Sequence, residues 1–230
     1  NAKVDKEAYD LYVEQILKSR SDNKANQKAN FAALRDYATY GKYNPTRNIP
    51  SEQELKSINP QVLLNLLKNL KNYKLTVLYY GPSSLKEVDQ LVSKTIQTPK
   101  MFAAVPAIKR YTEETTPKNE VLIAPYDAKN IYMVQLHNQN QKWSADRAPI
   151  IALFNEYFGG GMNAIVFQEL REARGLAYSA SAVYASPYRL GGNESFYTYI
   201  ITQNDKMMDC VTEFNKLLNN VPVRQSGFDL

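Results

Sequence analysis

Residues 154–179 decide the fold of this chain and read FNEYFGGGMNAIVFQELREARGLAYS. The apolar residues before the glycines recur at helical spacing, and the glycines at 159–161 interrupt that helix. A second helix is predicted over about 162–173, with Gly175 just beyond it as a C-cap. A strand is predicted to begin at Leu176. The stretch is therefore predicted to form two helices joined by a glycine hinge and followed by a strand.

Short apolar segments and helical patterns flank this stretch. Over residues 118–230 the predicted order is strand, strand, helix, helix, strand, strand, helix. The predicted strands are 121–123, 131–136, 176–185 and 194–201, and the helices are 149–158, 162–173 and 205–219. This order predicts an α+β fold, in which helices pack on a layered, antiparallel-rich sheet.

The first 98 residues are predicted to be a mainly helical segment. Ser51 and Glu54 match a capping box, and Asn59-Pro60 is a second helix start. Leu75–Tyr80 is the one strand predicted in this segment. Residues 99–117 combine prolines with polar clusters and are predicted to be a linker.

The composition is that of a globular protein. Of the 230 residues, 44% are hydrophobic and 22% charged, so extensive disorder is not expected. No apolar run approaches the about 20 residues that span a bilayer, so no membrane span is predicted. The start at Asn1 has neither an initiator Met nor the apolar core of a signal peptide, and we interpret it as a point inside a longer protein. The compartment is left open.

The net charge of +5 is spread unevenly along the chain. Residues 1–110 carry 18 Lys and Arg against 10 Asp and Glu, whereas residues 111–230 carry 10 against 13. The lysines stand singly among polar residues, as on a solvated surface. A nucleic-acid binder concentrates its cations on one face and adds stacking aromatic residues, so no nucleic-acid partner is predicted.

Gly159, Gly160 and Gly161 invite comparison with a phosphate-binding loop. Such a loop follows a strand and continues into Gly-Lys-Ser/Thr, whereas a helix precedes these glycines and Met162-Asn163 follows them. The favoured interpretation is a hinge between two helices, where glycine permits positive φ and close packing.

No metal site is predicted within this chain. A catalytic zinc needs about three nitrogen, sulfur or carboxylate ligands, most often including two histidines. His137 is the only histidine and is interpreted as a strand-end residue. Cys210, the only cysteine, lies in an amphipathic helical pattern and is interpreted as a buried small hydrophobe.

Arg171 and Tyr178 stand out in the deciding stretch. No carboxylate lies three or four residues from Arg171, so its partner must come from elsewhere or the side chain is solvated. Arg174, in the last helical turn, is explained by the helix dipole. Tyr178 opens a strand of small residues, Ser179 to Ala182, whose surface another backbone or helix can approach closely.

The run Leu170-Arg-Glu-Ala-Arg-Gly-Leu-Ala-Tyr-Ser179, with the glycine hinge before it, resembles a known family signature. It is that of the C-terminal domains of pitrilysin/insulysin-type (insulinase family) zinc metallopeptidases. The resemblance is close over residues 150–180 and looser over most of the chain. In that family the N-terminal half holds the zinc through a His-x-x-Glu-His motif, which this sequence lacks. The resemblance therefore implies zinc as the cofactor of the parent protein, with none bound by this chain.

The resemblance also implies a function. This chain would be the C-terminal part of a zinc-dependent endopeptidase that degrades or processes peptides in a closed chamber, and it would be inactive alone. Arg171 would hydrogen-bond a substrate carbonyl, and Tyr178 would bond near the scissile carbonyl. The partners would be the peptide substrate and the N-terminal half. The alternative is a catalytically silent subunit of the same fold that binds peptides or proteins.

Within the family's repeat unit, residues 1–98 resemble the latter part of one domain and residues 118–230 the first part of the next, substrate-contacting domain. The single strand at Leu75–Tyr80 then lacks neighbours, and a lone strand leaves its backbone groups unpaired. We expect it to occupy the vacant edge of the sheet formed by residues 120–137 and 176–202.

Overall fold

A computed structural model describes residues 3–225 of the chain. These residues divide into two units: unit 1 contains the residues up to Asp22 and Ile49–Arg110, and unit 2 contains Asn23–Asn48 and the residues from Tyr111 onward. The assignment of residues 1–98 and 118–230 to two successive repeat domains, joined by a linker at 99–117, stays a prediction.

The described elements are listed here in chain order: α1 (Lys6–Lys24), α2 (Gln27–Tyr40), α3 (Glu52–Ser57), α4 (Pro60–Asn69), α5 (Leu85–Thr95), β1 (Asn130–His137), α6 (Ala148–Phe158), α7 (Ile165–Phe167), a π-helix (Gln168–Ala173), β2 (Ser179–Ala185), β3 (Ser195–Gln203) and α8 (Met207–Asn219). Short 3₁₀ turns lie at Leu70–Asn72, Ala145–Arg147 and Asn204–Lys206.

Unit 1 has the predicted helix starts. At the start of α3, the Ser51 amide donates to the Glu54 carboxylate at 2.6 Å and the Glu54 amide donates to Ser51 Oγ at 3.2 Å. This is the predicted capping box. Helix α4 begins at Pro60, and the side chain of Asn59 accepts a hydrogen bond from the Gln61 amide. The local signals therefore identified these helices correctly.

The prediction of a strand at Leu75–Tyr80 is wrong. These residues form neither a strand nor a ladder, and Leu78 is 93% and Tyr80 104% exposed. All strands of the described part of the chain lie in unit 2, in a sheet that does not include this segment. A strand exists through hydrogen bonds to a neighbouring strand, so an apolar, β-branched composition does not create one by itself. The strand predicted at 121–123 is absent for the same reason.

Unit 2 is built on a three-stranded antiparallel sheet in the order β1-β3-β2. The central strand β3 places Ile200 between Met133 of β1 and Ala180 of β2. The predicted α+β class, with helices packed on an antiparallel sheet, is confirmed. The strands and helices predicted from residue 131 onward are present with shifted ends.

Alternation along β3 separates the two faces of this sheet. Ile200 is fully buried in a core that it shares with Phe158, Leu170 and Phe214, from the helical elements that follow β1. The neighbouring Tyr199 points to the opposite face, where the ring of Phe31 in α2 lies 6.4 Å from it. Unit 2 therefore has helices on both faces of its sheet.

Backbone and side-chain contacts hold the outer edge of β2 against α6 and the glycine hinge. The Tyr184 amide donates to Asn155 Oδ1 at 2.7 Å, and Asn155 Nδ2 donates to the Tyr184 carbonyl at 2.9 Å. The Ala182 amide donates to the Gly159 carbonyl at 3.3 Å. These contacts satisfy edge groups that would otherwise be open to another strand.

We expect Gly159→Ala to destabilise the chain and Gly161→Ala to leave its stability nearly unchanged. A Cβ at residue 159 would lie 2.6 Å from the Ala182 amide nitrogen and closer still to its carbonyl oxygen, whereas a Cβ at residue 161 would meet no atom within 4 Å. Overpacking of this kind costs about 1–3 kcal/mol. Urea unfolding measures both free energies, and equal losses in the two variants would contradict the close-approach role of Gly159.

Candidate functional site

The candidate site is built on the helical turn that follows the glycine hinge. Ile165, Val166 and Leu170 are buried in the core and anchor this turn. From Gln168 to Ala173 it is a π-helix, a rare form that is frequently found at functional sites. The Gly175 amide then donates to the Arg171 carbonyl at 3.0 Å. Gly175 has φ +56°, so the predicted glycine cap is present.

Arg171 projects from the π-helix and remains largely unpaired by carboxylates. Its side chain is 45% exposed, and among the described residues its nearest carboxylate is that of Glu172, which is also about half-exposed, at 3.7 Å from Nε. Two aromatic rings flank the guanidinium: its Cζ lies 4.8 Å from the ring centroid of Phe167 and 5.9 Å from that of Tyr178. Both distances are within the about 6 Å range of cation–π contacts. The structure therefore brings the two predicted site residues together.

Tyr178 approaches the site from the other side, just before β2. Its amide donates to the Ile201 carbonyl at 2.8 Å, which fixes the backbone to the sheet. Its side chain is mostly solvent-exposed, because the residue as a whole is 77% exposed. The phenol hydroxyl and the Arg171 guanidinium are thus two hydrogen-bond donors that a ligand can reach.

Arg174, three residues after Arg171, has a different environment. Its guanidinium binds the carboxylates of Glu169 at 2.7 Å and Glu213 at 3.3 Å. Glu169 also pairs with Arg224, and Glu213 with Lys216. The hydrogen bond from Lys216, together with the charge of Arg174, holds the pKa of the Glu213 carboxyl below its usual value. Arg174 is therefore part of an ion-pair network, which the sequence interpretation as a dipole partner did not foresee.

The three glycines lie between α6 and α7, where the hinge was predicted. Gly159, Gly160 and Gly161 all have negative φ, so the positive φ that glycine permits is not used here. Gly159 instead provides the close packing that was expected, because its backbone touches that of Ala182. Whether the segment moves as a hinge stays a prediction.

The described residues do not fit a metal site. They contain no group of three or more His, Cys, Asp or Glu side chains placed to hold an ion. His137 is exposed at the end of β1, with its ring 6.0 Å from that of Phe196. Cys210 is fully buried, as predicted, and burial raises the pKa of its thiol. Among the described helices, none combines the length and apolarity needed to cross a membrane.

Comparison with known proteins identifies the relatives of this fold. The family model described as "Peptidase M16 inactive domain" matches residues 57–222, which is more than half of the chain. Among solved structures, the crystal structure of a peptidase M16 inactive domain from Pseudomonas fluorescens is 16% identical with a TM-score of 0.63, over 98% of this chain and 54% of that one. A protease from Helicobacter pylori is 14% identical with a TM-score of 0.66, over 99% of this chain and 56% of that one.

At these identities the two structures demonstrate a shared fold. The chain spans about half the length of each of them. No curated protein matches the sequence.

We expect the 230-residue chain to bind no zinc stoichiometrically and to cleave no peptide, because its single histidine has no partner ligands at metal-binding spacing. Elemental analysis after dialysis against zinc, with His137→Ala as the matched variant, measures the metal content. One tightly held zinc per chain that is lost in His137→Ala would overturn this expectation.

Proposed function

We propose, since this chain belongs to the peptidase M16 family and matches its inactive domain, that it is the substrate-contacting, non-zinc-binding part of a zinc-dependent endopeptidase. Its parent would degrade or process peptides in a closed chamber. The observation that carries the proposal is the pairing of Arg171 with Tyr178, whose ring lies 5.9 Å from the guanidinium. The two residues come from different elements and together present accessible donors on one surface.

In this proposal Arg171 binds a backbone carbonyl of the peptide. Its guanidinium is permanently charged and carries several N–H donors in a planar fork. Because the nearest carboxylate, that of Glu172, is 3.7 Å away and half-exposed, most of these donors remain available to a ligand. A charged donor forms a stronger hydrogen bond to a carbonyl oxygen than a neutral one does.

Tyr178 has the complementary role in this proposal. Its hydroxyl donates a hydrogen bond to the scissile carbonyl oxygen, where negative charge develops as the bond is attacked. A donor that is already in place stabilises this charge without reorganisation. The backbone hydrogen bond from Tyr178 to Ile201 supports such placement, because it ties the residue to the sheet.

The zinc and the general base would come from an N-terminal half that carries a His-x-x-Glu-His motif. Two observations support this division. The described residues of this chain do not fit a metal site, and the solved relatives are nearly twice as long as the part that this chain matches.

A catalytically silent subunit that binds peptides or a partner protein is the second candidate. The family model that matches this chain is described as an inactive domain, which also favours this second candidate. In that case the same Arg171–Tyr178 surface would bind a peptide without cleavage. The two candidates differ in whether the parent protein contains the zinc motif and hydrolyses peptides.

We expect Tyr178→Phe in the parent protein to lower kcat/KM for peptide hydrolysis by about 10²–10³-fold, the usual effect of losing one donor to a developing charge. Arg171→Ala should lower kcat/KM by about 10–10²-fold, because it removes a charged hydrogen bond to the peptide. Tyr178→Phe keeps the ring beside Arg171 and removes the hydroxyl alone. Arg189→Ala and Tyr188→Phe, at exposed positions in the turn after β2, are matched controls.

Fluorogenic peptide assays measure the rates, and circular dichroism confirms folding. Full activity in both site variants would refute the proposed roles. So would equal losses in the Arg189 and Tyr188 controls.

A further inference from the structure

We propose that Phe167 is a positioning residue: its ring holds the Arg171 guanidinium in the orientation in which it meets a peptide carbonyl. This inference rests on the proposed function for its catalytic consequence. The contact itself is independent of that function. Of the two rings beside the guanidinium, that of Phe167 is the closer, at 4.8 Å from Cζ against 5.9 Å for Tyr178.

A long arginine side chain needs such support. It has several rotatable bonds, and ordering them on binding reduces affinity. Glu172 offers little help, since it lies 3.7 Å away and both side chains are about half-exposed, so that water and salt screen the pair. The Phe167 ring attracts the cation, whose Cζ lies 4.8 Å from the ring centroid, and this attraction limits the orientations of the guanidinium.

Phe167 is itself well placed to act as a fixed support. It is the last residue of α7, directly after Ile165 and Val166, whose side chains are buried in the core. Its own side chain is half-buried. Tyr178 is much more exposed. Phe167 therefore connects the buried core to the exposed cation. The more exposed ring of Tyr178 is less suited to this role.

The contact crosses the junction between two helical forms. Phe167 ends α7, and Arg171 lies within the π-helix Gln168–Ala173. The wider turn of a π-helix changes the direction in which a residue four positions later projects. The direction of Arg171 therefore depends on this junction, and the ring of Phe167 stabilises one direction.

The contact can be tested in this chain without any activity. We expect the Arg171 side-chain Nε–Hε resonance to carry an upfield ring-current shift in the unmodified chain. Phe167→Leu, which keeps an apolar side chain but removes the ring, should move this resonance to the position of a solvated arginine. Phe167→Tyr should restore it, and the resonance of Arg189 should not respond. An Arg171 resonance that is unchanged in Phe167→Leu would overturn the proposal.

The consequence for function is tested in the parent protein. Phe167→Leu should lower kcat/KM by about two- to fivefold, the fold-change equivalent to one cation–π contact at an exposed site. Phe167→Tyr should recover most of this loss. Because Phe167 acts through Arg171, the double variant Phe167→Leu/Arg171→Ala should be no slower than Arg171→Ala alone.

The outcomes separate the two proposals. Additive losses in the double variant would mean that Phe167 contacts the peptide itself, and would overturn its positioning role. If Arg171→Ala leaves hydrolysis unchanged, the proposed function of Arg171 fails, while the resonance of Arg171 still decides whether Phe167 orients its side chain.

Discussion

The close approach of two backbones, at Gly159 and Ala182, packs the helix that precedes the candidate site against the strand that follows it. The Gly159 carbonyl accepts a hydrogen bond from the Ala182 amide, and there is no room for a Cβ between them. This contact fixes the end of α6, and with it the start of the following helical turn, against β2. The turn carries Arg171, and β2 is preceded by Tyr178. Between them, the Leu176 amide donates to the Leu170 carbonyl at 2.9 Å, so the chain turns back directly after the π-helix and brings Tyr178 close to Arg171.

Two arginines on the same short helical segment have different surroundings. One is held in ion pairs within the fold, and the other is available to a ligand. Arg174 is bound by two carboxylates, and through Glu169 it is joined to Arg224 in the segment after α8. This network holds the π-helix to α8 and to that segment. Arg171 has aromatic faces in place of close carboxylates. A cation whose donors are not used within the fold can bind a ligand without first losing an internal ion pair.

Unit 1 buries few of its own apolar side chains. Among the described residues its buried hydrophobic side chains are those of Val13, Leu55 and Leu64, whereas Leu66 and Leu67 of α4 are each 60% exposed. Hydrophobic burial is the main favourable term in folding, so a unit with so small a core gains little stability from it. The wrong strand prediction at Leu75–Tyr80 belongs to the same unit, where Leu75 and Val77 remain about half-exposed and the segment pairs with no strand among the described residues.

The sequence by itself determined the features that depend on residues within a few positions of each other. These are the capping box of Ser51 and Glu54, the glycine cap at Gly175, and the absence of a helical carboxylate partner for Arg171. The tertiary structure alone decided whether an apolar run became a strand, and which partners the arginines found. Glu169 and Arg224 are 55 residues apart, and Asn155 and Tyr184 are 29 apart. Such contacts are set by how the sheet and helices pack, because pairing and burial depend on atoms that local sequence does not specify.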